Sequence, residues 1–320
     1  MSIHLKAVYS KTYEAGRRRT GLKTDAAIES NTLDKRGKRE VKRIRKAILP
    51  VYAVLFAIFL FAAFYNGLVV RTYRITTDKL EPGQNVRILL ITDLHSHIYG
   101  ENQKDLVSMI KGQKPDIIAL AGDIADDVAP VLGTELFLSN IKGIAPVYYV
   151  TGNHEYWSGD IERIKKIIRG YGVTVLEQNY ERINLNGTSF IICGVDDPDS
   201  QMYEYGSLSW KDRMYSAFDE LENETGYKIL LSHRPERINV YKAFTFDLVL
   251  SGHAHGGQVR IPFILNGLYA PDQGWFPKYA GGIYSHGTLY HVVSRGVSYN
   301  PRLPRIFNPP EINVIDISGK

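Results

Sequence analysis

FDLVLSGHAHGGQ, residues 246–258, carries an apolar run, Leu248 to Leu250, into Ser251-Gly252 and then sets His253 and His255 one residue apart. A strand that ends in a small-residue turn and presents two imidazoles at i and i+2 puts both rings on one side of the chain. Neutral imidazole is the commonest protein metal ligand.

Four other segments have the same design. VRILLIT (86–92) runs into Asp93-Leu94-His95, and DIIALA (116–121) into Gly122-Asp123. PVYYVT (146–151) runs into Gly152-Asn153-His154-Glu155, and KILLS (228–232) into His233. Each has a bland reading. Gly-Asp after a strand is usually a turn, and one histidine at a strand end is more often a satisfied polar residue than a ligand. Five such coincidences at equivalent positions are hard to sustain. In open α/β sheets ligands gather beyond the carboxyl ends of the strands, and here those ends offer two carboxylates, one amide and four imidazoles, with His154 left over.

Between these strands the spacing predicts helices at Gln103–Lys111, Thr134–Ile141 and Asp160–Arg169, another over Ser207–Asn223, and a short one from Pro235. Residues 173–195 read as two or three strands broken at Asn186-Gly187. Gln258–Pro262, Leu289–Ser294 and Ile312–Ile317 complete a strand-rich end. Alternating strands and helices of this kind fit a layered α/β sandwich.

Charge divides the chain. Residues 1–47 hold 14 of the 39 Lys/Arg against 5 of the 34 Asp/Glu, a balance of +9, and the rest of the chain is at −4. The folded body is therefore not a basic nucleic-acid surface, and no nucleic acid is expected as a partner. Cys193 is the single cysteine, which excludes an intramolecular disulfide and a thiolate zinc site. Residues 1–34 read as a flexible tail, and KRGKREVKRIRK (35–46) as a basic block.

That block abuts Ile48–Val70, 23 uncharged residues, long enough to span a bilayer. A cleaved signal peptide would have a shorter apolar region and a small-x-small site, so an uncleaved anchor is the reading. The expected organisation is a basic cytoplasmic tail (1–47), a transmembrane anchor (48–70), a linker (71–85) and a folded domain (86–320) that carries the five motif segments. Eight Lys/Arg precede the span and only Arg71, Arg74 and Lys79 follow closely, which places the domain outside the cytoplasm by the positive-inside rule. A single-pass protein of the cell membrane, acting as a monomer, is the expectation.

The order DxH, GD, GNHE, H, GHxH, complete here over Val86 to Gln258, resembles the calcineurin-like metallophosphoesterase superfamily. Gly256-Gly257-Gln258, Ser294-Arg295-Gly296 and Asn308-Pro309-Pro310-Glu311 look like its bacterial membrane-associated branch. The resemblance implies two divalent metal ions. Asp93, His95, Asp123 and His255 would hold one; Asp123 again, with Asn153, His233 and His253, would hold the second; His154 would be catalytic and non-ligating. A carboxylate such as Asp123 can bridge cations ~3.5–4 Å apart, and a mixed N/O set without thiolate suits Mn, Fe, Zn or Ni.

His97 reads as a site-lining residue or an exposed loop histidine, and Arg234 as a phosphate clamp or a surface ion pair. Tyr156, Trp157, Trp275 and Phe276 are candidates to shape the cleft. Pro262–Tyr284 reads as a lid, a membrane-contacting loop or ordinary loop packing. The implied function is hydrolysis of phosphate mono- or diesters, with lipid-linked or envelope substrates leading and a UDP-sugar-lipid pyrophosphatase permitted. The rivals are a non-catalytic scaffold, which a missing ligand would mark, and an inward-facing nucleotide phosphodiesterase, which needs reversed topology.

Overall fold

The computed structural model describes residues 4–203, 206, 208–299 and 303–320. The chain forms two units, Met1–Ala62 and Ala63–Lys320.

The first unit is one helix from His4, whose last residue, Ala63, opens the second unit. Of the flexible tail read for residues 1–34, the described part from His4 is helical instead, because Lys, Arg, Glu, Ala and Leu favour helix with or without an apolar stripe. The part Asp34–Ala63 is long and apolar enough to cross a membrane. Consecutive side chains from Val54 to Phe56 and from Ile58 to Phe61 are all exposed, so this helix is apolar all round rather than on one stripe. Such a helix needs an apolar surrounding. It stops at Ala63, before Asn66-Gly67, short of the Val70 read from the sequence. Beyond Lys46 that leaves about 17 apolar residues, roughly 25 Å at 1.5 Å per residue, the lower end of a bilayer span.

The second unit is built on two six-stranded sheets. In chain order its strands are β1 (Val69–Thr77), β2 (Asn85–Ile91), β3 (Ile117–Ala121), β4 (Val147–Val150), β5 (Thr174–Val175), β6 (Asn179–Leu185), β7 (Thr188–Gly194), β8 (Tyr227–Leu231), β9 (Leu248–Ser251), β10 (Tyr269–Ala270), β11 (Gly274–Trp275), β12 (Gly282–His286), β13 (Leu289–Val293) and β14 (Glu311–Gly319). One sheet runs β1-β14-β2-β3-β4-β5 and the other β12-β13-β9-β8-β7-β6; β10 and β11 form a separate small hairpin.

The order of layers follows from the alternation along single strands. Ile88 and Leu90 of β2 join Ile192, Ile229, Leu231 and Leu250 of the other sheet in the central core. Their neighbours Leu89 and Ile91 face the opposite way, against Leu106, Ile110, Phe137 and Ile168 of the helices Lys104–Gln113, Leu132–Ile141 and Ile161–Gly170. Ile191, Leu230 and Val249 likewise face Trp210, Met214 and Phe218 of the helix Trp210–Phe218. Strands covered on both faces read as unbroken apolar runs, as the segments at 86–92, 116–121 and 228–232 do.

Three sequence readings change. Residues 71–85 are no simple linker, since β1 pairs parallel to β14 from Val69↔Glu311 to Thr77↔Gly319. Gln258–Pro262 is no strand but two isolated bridges, Val259↔Ile306 and Ile261↔Leu265. The helix read from Ser207 begins at Trp210, capped by the Ser209 hydroxyl, which accepts the Asp212 N–H; Ser207 itself lies outside the described residues.

Candidate metal centre

Parallel β2, β3 and β4 of one sheet and β8 and β9 of the other deliver the five motif segments at their carboxyl ends. Loop hydrogen bonds extend the ladders. Asp93 N–H donates to Gly122 O at 3.0 Å, His95 N–H to Asp123 O at 2.9 Å, and Gly252 N–H to His233 O at 3.1 Å.

Two glycines let the loops approach so closely. At Gly122 (φ +86°) a Cβ would lie 2.4 Å from His233 Nδ1, and at Gly252 it would lie 2.6 Å from Asp93 Oδ2. The candidate ligands themselves turn sharply: Asp93 (φ 53°), His95 (47°), Asp123 (53°), His253 (66°) and His255 (46°) are all left-handed. Asp and His tolerate that region better than most residues, yet each such turn costs on the order of 1 kcal/mol. Packing and hydrogen bonds must hold them.

Within this frame Asp93, His95 and His255 bring ligand atoms within 4.8 Å of one another, and Asp123, His233 and His253 do the same. The clusters approach through Asp123, whose Oδ2 is 3.1 Å from His233 Nε2 and 3.7 Å from His95 Nε2. Asp93, Asp123, Asn153, His233 and His253 are buried. His95, His154 and His255 line a cleft of about 430 Å³, walled in part by Arg305, Tyr299 and Leu303.

The donor set fits divalent cations on one observation. Asp93 Oδ2, His95 Nε2, Asn153 Oδ1 and His233 Nε2 are buried without a hydrogen-bond partner. Buried polar atoms are normally satisfied, and four orphans within one constellation call for a common partner. The ring orientations agree with this. His233 Nδ1 lies 2.8 Å from the Ala121 carbonyl, which takes its proton and leaves Nε2 as a lone-pair donor. His95 Nδ1 meets Asp126 Oδ1 at 3.0 Å, and His253 Nε2 meets Asp272 Oδ2 at 2.9 Å.

Electrostatics follow burial. Burial pushes His255 down to about 3 against the pull of Asp93, while His95 and Arg305 repel its proton, so the ring is neutral. Burial also opposes charge on His233, but Asp123 and then Asp93 outweigh it and push its pKa up to about 10. A cation on the same carboxylates reverses that pull. His154 is raised to about 9: burial opposes the proton, and the Asp126 hydrogen bond, Asp123 and Asp127 outweigh burial. Its Nδ1 is 2.7 Å from Asp127 Oδ1 and 3.3 Å from Asp126 Oδ1.

Several neighbours were not read from the sequence as parts of the site. Glu155 accepts backbone N–H groups from Gly152, Asp123, Ile124 and Ala125, tying the β3 loop to the β4 loop. Burial, with Asp123 beside it, raises Glu155 to about 7. Asp126 and Asp127 orient His95 and His154. Arg305, buried, donates to the Arg295 and Ser298 carbonyls and reaches His255 Nδ1 at 3.3 Å. Nothing in a lone arginine some fifty residues from His255 signals this; Asp126-Asp127, immediately after the GD motif, were open to notice.

The residues weighed both ways also resolve. His97 lines the cleft, its ring edge-on to Tyr99 and Tyr299 at 4.8 and 5.0 Å. Arg234 is buried: it grips Asp197 with two bonds of 2.6 and 2.8 Å, and it also pairs with Asp199 and with the half-exposed Asp272. Tyr156 is core. Trp157 is half exposed with its ring 4.8 Å from that of His154. Trp275 and Phe276 are exposed and are not among the residues lining the cleft.

A family model described as calcineurin-like phosphoesterase matches residues 86–257. An uncharacterized metallophosphoesterase of Helicobacter pylori strain J99 is 33% identical over 269 residues, covering 80% of this chain and 66% of that protein. One of Aquifex aeolicus is 31% identical over 261 residues, covering 78% and 92%. A Bos taurus transmembrane protein with metallophosphoesterase domain is 28% identical over 243 residues, covering 72% of this chain and 52% of its own length.

Proposed function

The chain belongs to the calcineurin-like phosphoesterase family, and on that premise we propose that it is a membrane-anchored hydrolase of phosphate mono- or diesters that works with two divalent cations. The observation that carries this is the pair of Asp/His clusters meeting at Asp123, with orphaned buried donor atoms in both. Asp93, His95, Asp123 and His255 would hold one cation, and Asp123, Asn153, His233 and His253 the other. When bound, the cations would polarise the phosphoryl group and supply a water activated for in-line attack.

The chain's own residues do the rest. His154 takes no place among those ligands. With Nδ1 held by Asp127 and Asp126, its Nε2 is the atom available to donate a proton to the leaving oxygen. Trp157 braces that ring on one side. Burial, with His95 and then Arg305 adding to it, keeps the His255 ring neutral and so able to act as a ligand.

An anchored enzyme acts most readily on substrates in or near the bilayer, which favours lipid-linked or envelope phosphates. The charge step across the span supports an extracytoplasmic domain. Protease added to intact protoplasts should then digest the domain, and protection until lysis would reverse the topology.

The decisive test is purified full-length protein assayed for metal content and for hydrolysis of p-nitrophenyl phosphate and bis-p-nitrophenyl phosphate with added Mn²⁺. Hydrolysis that a chelator abolishes and Mn²⁺ restores is expected. No turnover of either ester in a protein holding two metals per chain would point to the scaffold instead.

A further inference from the structure

Outside the candidate ligand set, two arginines converge on one carboxylate and a third lies beside them. Arg71 Nε is 2.7 Å and Arg295 Nε 3.3 Å from Glu311 Oε2, and Glu311 is fully buried. The third, Arg260, reaches Asn266 Oδ1 and, at 3.4 Å, the Gly256 carbonyl. A Cβ at Gly281 would lie 3.3 Å from both Arg260 Nη1 and Arg295 Nε, so these two heads are close neighbours. The group carries two positive charges in excess of Glu311. Burial and the mutual repulsion of the arginines push Arg260 down to about 10. Like charges crowd together here at a cost that a bound anion would remove.

The arginines line a second cleft, of about 500 Å³, shared with the turn Ile261–Asn266. That turn is closed by its own backbone, with Ile261 N–H donating to Leu265 O at 3.0 Å and Leu265 N–H to Ile261 O at 2.8 Å. Its tip points apolar groups outward. Phe263 is fully exposed and left-handed (φ 67°), and Ile264 is 82% exposed. Strain spent on presenting a phenyl ring to water has no return within the protein. The far wall of the cleft includes Phe307, whose N–H donates at 2.7 Å to the carbonyl of Ala63, the residue that ends the apolar helix. The cleft therefore lies beside the point where the chain leaves its candidate membrane span.

We propose that Arg71, Arg260 and Arg295 form a binding site for the phosphate of an anionic phospholipid, with Phe263 and Ile264 inserted among the acyl chains. The charge selects the headgroup and the apolar tip selects a lipid over a free phosphate. None of the three arginines is among the proposed metal ligands, so the site stands or falls independently of the hydrolytic reading.

The test uses full-length protein in a non-ionic detergent. Binding of dihexanoyl-phosphatidylglycerol, dihexanoyl-phosphatidylcholine and glycerol 3-phosphate is measured by calorimetry on wild type, Arg260→Gln, the double variant Phe263→Ser/Ile264→Ser, and Asp123→Ala. The phosphatidylglycerol should bind at least about tenfold more tightly than the other two. Arg260→Gln should weaken it by about tenfold or more, the loss of a charged hydrogen bond. The double variant, changed only at exposed positions, should weaken the lipid and leave glycerol phosphate unaffected. Asp123→Ala should bind the lipid as wild type does. Equal binding of the two lipids, glycerol phosphate as tight as the lipid, or binding lost in Asp123→Ala but kept in Arg260→Gln would each overturn the site.

Discussion

The metal clusters and the arginine cleft both crowd like charges under a strained backbone, but they do so with opposite degrees of closure. Around Asp93 and Asp123 every strained turn is tied down by buried bonds, and the carboxylates are sealed from water. Around Arg260 one wall is a turn with a fully exposed phenyl ring. Closed construction suits a centre whose ligand atoms must keep their positions through a reaction. Open construction suits a partner that is large, mobile and partly apolar.

The contrast ranks substitutions. Asp123→Ala should have the largest effect, abolishing turnover and lowering metal at both clusters, because that carboxylate is the proposed shared ligand. A variant that keeps two metals per chain and near-wild-type turnover, read by elemental analysis and ester hydrolysis, would break the reading of a shared ligand. His154→Ala should retain both metals and lose about 10²–10⁴-fold in turnover. A substrate with a very good leaving group should recover part of that rate. Metal loss in this variant would make His154 a ligand.

Next in size, Gly252→Ala should destabilise the protein by roughly 1–3 kcal/mol, the cost of forcing an extra methyl into a packed site. Calorimetry should show a lower Tm, and metal content should fall with it, since the methyl meets Asp93. At the open cleft Phe263→Ser should change stability by no more than about 0.5 kcal/mol. A large drop in Tm there would show that the ring is buried in solution, and the distinction between the two regions would collapse.

What the sequence showed of each region differed for physical reasons. The metal centre was legible because five fully covered strands read as apolar runs, and each run stops at a residue type with lone pairs. Glu155 was visible in the motif, but its work is done through backbone N–H groups of the β3 loop, a partnership that only folding creates. Arg305 and Arg71 meet their partners across long stretches of chain. β1 escaped notice because Val69 and Val70 extend an apolar run that already had a role. Its alternation of exposed Thr72, Arg74 and Thr76 with Tyr73 and Ile75 was hidden behind that assignment. The long apolar helix was legible in composition, while its end at Ala63, ahead of Asn66-Gly67, was not.

The pairing of β1 with β14 also has a consequence for how the domain is made. β1 is an edge strand bonded only to β14, whose residues are synthesised roughly 240 positions later, a contact at the slow, non-local extreme of folding. Since β14 also sits between β1 and β2, the first sheet cannot close before β14 has been made. The early strands must wait with their backbone edges unpaired, a state prone to aggregation.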